Sequence, residues 1–276
     1  MKRMMKIEIS RAFHNRIFYL VMAFSGILVA FHFFQYVIPS IPFLYERLDE
    51  LQGGMPPSLY TGNAFLGFGG SLAYQIFSWT LPILIVLPFA GTALTERKNG
   101  YVKNVFMRTQ KRNYYISKYI ATFLSGGSVA VIPILCSLWL SALCLPAIPP
   151  EPTSNLTAIG TNSMWGELFY KNPLAYIFAY LTIQFVFYGL IATVALAISF
   201  LTDTKFVVLL TPFLLYLSSS FLCGWLGELR YVPALFLDMM QVLPNIQFSI
   251  IAIEAVILFI LTSVGFIWTG WRKEVY

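Results

Sequence analysis

The chain has 276 residues, 58% hydrophobic and only 11% charged, with a mean hydropathy of +0.72. Soluble domains carry about 25% charged residues, so too little polar surface is present to cover a globule in water, and a water-soluble fold is excluded. The net charge of +6 would point to nucleic acid or anionic lipid in a soluble protein. Here the placement of the charges carries more than their sum.

Residues 2–16 have the pattern of an amphipathic helix lying on a membrane surface. At 100° per residue Met5, Ile9, Ala12 and Phe13 gather on one narrow face, with Arg3, Lys6, Ser10, Arg11 and His14 on the other side, where anionic head groups would meet them. Met4 and Ile7 fall on the polar side, and a plain basic flank to the first span stays open as the alternative. Six apolar runs then follow: Ile17–Ile38, Ser71–Leu94, Tyr119–Leu145, Pro173–Phe200, Val207–Trp225 and Phe248–Trp268. A spanning helix needs about 20 such residues. Pro82, Pro88, Pro133 and Pro212 lie inside these runs and are tolerated where neighbouring helices satisfy the freed carbonyls. The pattern predicts an all-α membrane protein of one domain, with a surface helix over 1–16, six spans over 17–268 and a tail over 269–276.

Between the runs, 39–70 and 146–172 are Pro- and Gly-rich and read as modest loops. The segment 226–247, "LGELRYVPALFLDMMQVLPNIQ", is apolar but broken by Pro233 and Pro244. It is too short to span and reads as a pair of short helices re-entering the membrane, since irregular backbone at that depth must be sheltered by protein. The first apolar run, about 22 residues, is too long for a signal-peptide core, and no cleavable signal is expected. No internal repeat is visible, which argues against carriers built from repeated halves.

Charge orients the six runs. Fifteen of the 18 Lys and Arg residues fall on the side of the termini and of the segment after the second run; Arg47, Lys171 and Arg230 fall opposite. Lys and Arg excess marks the cytoplasm, which places both termini and the 95–112 segment there in a multi-pass cell-membrane protein. Nucleic acid is the lesser reading of the basic segment.

The chemistry of enzymes is missing from the sequence. It has no G-x-x-x-x-G-K-[ST] phosphate loop, no H-E-x-x-H zinc pair among two histidines, and no G-x-S-x-G elbow. Three cysteines give no metal spacing, and Cys136 and Cys144 are about 12 Å apart along one helix, beyond disulfide reach. "SGGS", 125–128, reads as a helix-packing surface. Glu254 is the one formal charge well inside a span. It reads either as a cavity-lining acid that meets substrate or a proton, or as a hydrogen-bonded structural carboxyl. His32, Gln35 and Gln184 read as hydrogen-bond partners between helices. Most of the aromatic residues suit interface belts; Phe31, Phe34, Tyr180 and Phe187, with Gln184 and Glu254, are the candidates for lining a substrate path.

With so few intramembrane ionisable groups, motive force must come from outside the chain, and the basic segment "TERKNGYVKNVFMRTQKRNYYISK" (95–118) is a natural docking site. Val102, Val105, Phe106 and Thr109 share one face by their spacing, while Lys103, Arg108 and Lys111 point elsewhere. A solvated loop obeying charge bias would explain the charges but not the apolar stripe.

In this layout the chain resembles the permease subunits of type-2 ABC exporters. The resemblance covers nearly the whole length: the surface helix, "RAFHNRIFYL" leading into the first span, "TERKNG" closing the second, a coupling helix, Lys118 opening the third, and the re-entrant segment before the last. Members commonly carry a Glu followed closely by Gly after the second span, matched by Glu96 and Gly100. They often carry a Pro-Ile/Val-Ser-Arg-like turn before the third span, where this chain has "RTQKRNYY". The resemblance implies a dimer with a second copy or a related permease, and two separate ATPase subunits that hold the ATP and Mg. No cofactor is implied in this chain. It also implies ATPase coupling through Glu96, Gly100, Val102, Val105, Phe106, Arg108 and Thr109; for the cargo, modest outer loops and the abundance of Phe and Tyr favour an amphipathic peptide, with drug, lipid or glycan as the alternatives. A channel or carrier without an ATPase is the rival class.

The topology is open to a direct test. In a cysteine-free background, a cysteine replacing Lys103 should react with impermeant thiol reagents only from the cytoplasmic side and one replacing Asp49 only from outside; the reverse pattern would overturn the orientation.

Overall fold

Asn15 separates the charged N-terminal segment from the first apolar run because its side-chain oxygen accepts from the Ile17 N–H, capping a new helix. In the computed structural model of the chain, which describes residues 1–45, 57–68, 70–150, 159–160, 163–241 and 246–272, that residue joins α1 (Lys2–Phe13) to α2 (Arg16–His32). The second helix runs on through a π turn, Phe33–Val37, to Ile38–Ser40. Downstream lie α3 (Leu72–Leu84), α4 (Thr92–Lys98), α5 (Tyr101–Phe106) and α6 (Lys111–Ala142). They are followed by α7 (Gly166–Lys171), α8 (Pro173–Ile198), α9 (Lys205–Trp225), α10 (Pro233–Phe236) and α11 (Phe248–Ser263). A π turn over Val264–Trp268 carries α11 on to Arg272. No strand occurs among the described residues. Arg47, Asp49, Pro244 and Lys273, used above for topology and loop breaks, lie outside them.

Among the described residues five helices are long and apolar enough to cross a membrane: the ones built on α2, α6, α8, α9 and α11. The second apolar run differs from its expectation as one span. Its α3 has 13 residues, about 20 Å at 1.5 Å per residue, against a hydrocarbon core of about 30 Å. Pro88 is the physical reason. A proline inside a helix lacks the N–H and its ring clashes with the carbonyl four residues back; here that carbonyl belongs to Leu84, where α3 ends. A tight turn over 85–91 follows. In that turn the Pro88 carbonyl accepts from the Asn15 side chain at 2.6 Å, so the break in one run is joined to the cap of another. Pro133 and Pro212 stay inside continuous helices.

The centre of the molecule is the pair α6 and α8, which make the most extensive helix contact. Small residues set their approach. A Cβ on Gly126 would lie 2.5 Å from the Ala192 Cβ, one on Gly127 2.6 Å from the Phe185 carbonyl, and one on Gly189 2.8 Å from the Phe123 carbonyl. The "SGGS" stretch is therefore a packing surface. In their apolar windows 56% of α6 and 67% of α8 residues are buried, but only 17% of those in α9 and α11. The last two long helices thus present most of their apolar surface outward.

The end opposite α1 is closed by loops that turn inward. Residues 57–68, expected as part of a modest surface loop, bury Phe65, Leu66 and Phe68; the Leu66 N–H donates to Ser137 Oγ of α6 at 2.9 Å. Among its described residues the 226–247 segment, expected to re-enter the membrane, forms one 3-10 turn, Leu229–Tyr231, and the four-residue α10. Gln184 Nε2 donates to the Leu237 carbonyl at 2.8 Å and Tyr176 to the Met239 carbonyl at 2.6 Å. Gln184 lies eleven residues along α8 from Pro173, about 16 Å of axis, so this backbone packs against α8 as far as its middle, and α8 side chains satisfy two of its carbonyls.

Gly127 and Gly26 differ in the space around them and so make a paired test. Gly127→Ala should lower thermal stability in detergent by about 1–3 kcal/mol, the usual cost of overpacking. Gly26→Ala, with nothing within 4 Å of its added Cβ, should be neutral or gain up to about 1 kcal/mol of helix propensity. Equal behaviour of the two would remove the glycine contact as the determinant of α6–α8 spacing.

Candidate docking cleft and its charged hinge

At the end that holds α1, four charged side chains from three elements meet, three of them buried and Arg11 partly exposed. Lys118 of α6 donates to Glu96 Oε1 of α4 at 2.8 Å and to Glu8 Oε2 of α1 at 3.2 Å. Arg11 donates to Glu8 at 3.0 Å and also to Glu96, and the Tyr114 hydroxyl donates to Glu96 Oε2 at 2.6 Å. Lys118 and Glu8 are fully buried and Glu96 nearly so. The Lys118 ammonium also sits 4.2 Å from the centre of the Phe89 ring, in the turn that follows α3. Two cations face two anions, so the cluster is neutral, and each carboxylate has more than one donor. Burial opposes ionisation of Glu96, but the charges of Lys118 and Arg11 and the hydrogen bonds from Lys118 and Tyr114 outweigh it, holding its carboxyl below the ordinary value.

The cluster corrects the expected lie of α1. Its buried line is Met4, Glu8 and Ala12, at i, i+4, i+8, with Met5, Ile9 and Phe13 only half-buried. Met4, assigned to the polar side by the sequence pattern, is in the core with Val102, Tyr114 and Tyr115. The helix is thus docked on α6, because Glu8 finds Lys118 there. Sequence reasoning missed Glu8 altogether and took Arg11 for a head-group contact and Lys118 for an opening basic residue. One signal was present: Glu8 is the first acid in the chain, the next being Glu46, and it lies four residues from both Met4 and Ala12.

The expected coupling helix is shorter than the 95–112 segment. Asn99 and Gly100 end α4, with Gly100 in the left-handed region at φ 70°, and α5 stops at Phe106. Val102 is buried, and Val105 and Phe106 pack on the same small core, where the Phe106 ring lies 5.8 Å from that of Tyr114. The predicted apolar stripe therefore exists but faces the protein. Outside it opens a cleft of about 810 Å³ between α1 and the α5 region. Met4, Ile7, Val105 and Met107 give it apolar walls, and Arg3 and Arg108 stand exposed at it. Of the sequence candidates Val105, Arg108 and Thr109 line the cleft, Val102 and Phe106 support it, Glu96 belongs to the ion cluster, and Gly100 supplies the turn. On the other flank Arg97 donates to the Ser199 carbonyl and lies 3.8 Å from Asp203, joining α4 to the end of α8.

The residues considered for a substrate path are not brought together. Phe31 and Phe34 are exposed on the first long helix, and Tyr180 and Gln184 are buried at the re-entrant loop. Phe187 and Glu254 share a separate groove between α8, α9 and α11. No group of three metal-ligating side chains occurs among the described residues. No family model, curated protein or solved structure matches the chain.

Removing one member of a buried ion cluster leaves an uncompensated charge and costs about 3–5 kcal/mol. Lys118→Met should lose about that much, and adding Glu8→Gln, which leaves Arg11 with Glu96, should restore part of it; strictly additive losses would argue against the coupling. Because the folded Glu96 carboxyl titrates below its ordinary value of 4.5, its contribution is full above that pH and is lost as pH falls through the lower folded value. Unfolding followed from pH 7 down to pH 3 should show this acid loss in the wild type and a smaller one in Glu96→Gln.

Proposed function

We propose that the chain is the membrane permease subunit of an ATP-driven exporter, worked by separate ATPase subunits. The observation that supports it best is the cleft between α1 and the α5 region, whose α1 wall is tied to the long helix α6 by the ion cluster and whose α5 wall packs on Tyr114 and Tyr115 of the same helix. A partner that engages the cleft would push on α6 rather than on a free loop. Its chemistry suits a partner segment with an apolar face and acidic flanks, since Arg3 and Arg108 stand beside Met4, Ile7 and Val105. In this proposal the second apolar run crosses as a broken helix, giving six crossings with both termini and the cleft in the cytoplasm of a bacterial cell. The permease then works as a dimer with a second copy or a related chain, with ATP and Mg on the partner. An amphipathic peptide is the preferred cargo, because 17% of the chain is aromatic and few charges line its interior.

Co-expression with an ATPase encoded beside this chain should yield a complex that copurifies in detergent. Arg3→Glu with Arg108→Glu should weaken that complex at least tenfold, and more so at low salt, where charge attraction counts most. Both side chains are exposed, so folding should survive. Transport by the purified chain alone in liposomes, with no ATPase present, would overturn the proposal in favour of an autonomous carrier.

A further inference from the structure

The groove between α8, α9 and α11 has a volume of about 260 Å³ and a lining that is apolar except at a few points. Ile191, Leu215 and Ile257 are representative of its walls; Tyr216, Ser219 and Glu254 supply its polar atoms. Two of those three are already engaged. Ser219 donates to the Tyr216 carbonyl at 2.7 Å, and the Tyr216 hydroxyl is hydrogen-bonded to Tyr188. Glu254 is the exception: it is half-buried, and no hydrogen bond, ion pair or neighbouring charge reaches it among the described residues. It lies six residues along α11 from Phe248, about 9 Å of axis, within a helix apolar and long enough to cross a membrane.

A carboxylate at that depth is costly without a partner, and intramembrane acids face a cavity or a substrate by default. The lining has no Lys, Arg or His, so a phosphate or a carboxylate head group would find nothing to pair with and would meet repulsion. A single cation with an adjoining apolar group satisfies both halves of the groove. We propose that this groove binds monocationic amphiphiles from the membrane, with Glu254 as the ion-pair partner of an ammonium or guanidinium group and the α9 and α11 side chains holding the alkyl or aromatic part. At about 260 Å³ the groove is slightly smaller than drug-sized pockets, so it takes one such group and not a folded peptide. The inference rests on the transport reading for its physiological meaning, but binding is measured on the chain alone, so either can fail without the other.

The purified full chain in phosphatidylcholine nanodiscs would be photolabelled with a diazirine-bearing alkylamine and the labelled peptides identified by mass spectrometry. Labels should fall on α9 and α11 beside the groove. Dodecylamine should compete at least tenfold better than dodecanol, and dodecanoate should compete worst. Glu254→Gln should bring amine and alcohol to parity, and Glu254→Lys should turn the preference toward dodecanoate. The wild-type competition needs no variant and decides by itself: equal competition by amine and alcohol overturns the proposal. Amine selectivity that survives in Glu254→Gln, or crosslinks between two copies at Ile257 with no alkylamine labelling, would overturn it as well.

Discussion

Everything at the α1 end of the molecule is registered on the ion cluster of Glu8, Arg11, Glu96 and Lys118. Charges are scarce in this chain, and burying them is costly unless they are paired and hydrogen-bonded. Both conditions are met here by residues up to 110 positions apart. A neutral, fully bonded cluster tolerates few alternative arrangements, since sliding any one helix by a turn would strand a charge. That intolerance makes α1, α4 and α6 one body, and the cleft between α1 and α5 inherits its shape from them.

The same body extends toward the opposite end through adjacent residues. Tyr119 follows Lys118 on α6, and its hydroxyl meets Thr262 of α11 at 2.7 Å and Thr193 of α8 at 3.4 Å. Tyr115, one turn earlier, packs edge-on against Phe266 and crowds the site of Gly270. The α1-proximal end of α11 is thus held to α6 beside the ion cluster. Eight residues away along α11, about 12 Å, lies Glu254, where the helix has left α6 and most of its surface is outward. A displacement of α6 at the cluster would reach the groove through a helix pinned at one end and loosely packed at the other. The tight α6–α8 pair, closed by Gly126, Gly127 and Gly189, is the fulcrum against which such a movement would work.

The apolar runs were legible because membrane length is a local property of sequence, and five of six emerge as long helices among the described residues, although α6 starts at Lys111 rather than Tyr119 and the first long helix runs on to Tyr45 rather than Ile38. The remaining run, around Pro88, is apolar enough to span but does not form one long helix: α3 ends at Leu84, whose carbonyl the Pro88 ring would meet, whereas the helices around Pro133 and Pro212 stay continuous. Loops were misjudged in the other direction. The 57–68 segment reads as surface from its glycines and prolines, yet its phenylalanines are buried, because Ser137 and the loop after α6 receive its backbone groups. The apolar stripe Val102, Val105 and Phe106 was found by periodicity, which identifies a buried face without saying what covers it. Charge pairing was not legible at all: hydrophobic pattern fixes which helices exist, but nothing local says that Glu8 belongs with Lys118.

Two glutamates illustrate how the chain uses a buried acid in opposite ways. Glu96 has an ammonium, a guanidinium and a phenol directed at it; its charge is fully compensated inside the chain, so it has no capacity left for a ligand and acts as a structural key. Glu254 has an apolar wall on each side and, among the described residues, no partner. Were its role only to hold helices together, a polar group on α8 or α9 would be expected within reach, as Thr262 finds Tyr119 on the same helix. Tyr216 and Ser219 are near enough to line the same groove but turn their hydrogen bonds elsewhere. The protein thus supplies compensation at the ion cluster and none of it, among the described residues, where the hydrophobic groove opens at Glu254, which is the asymmetry that the proposed cationic ligand would resolve.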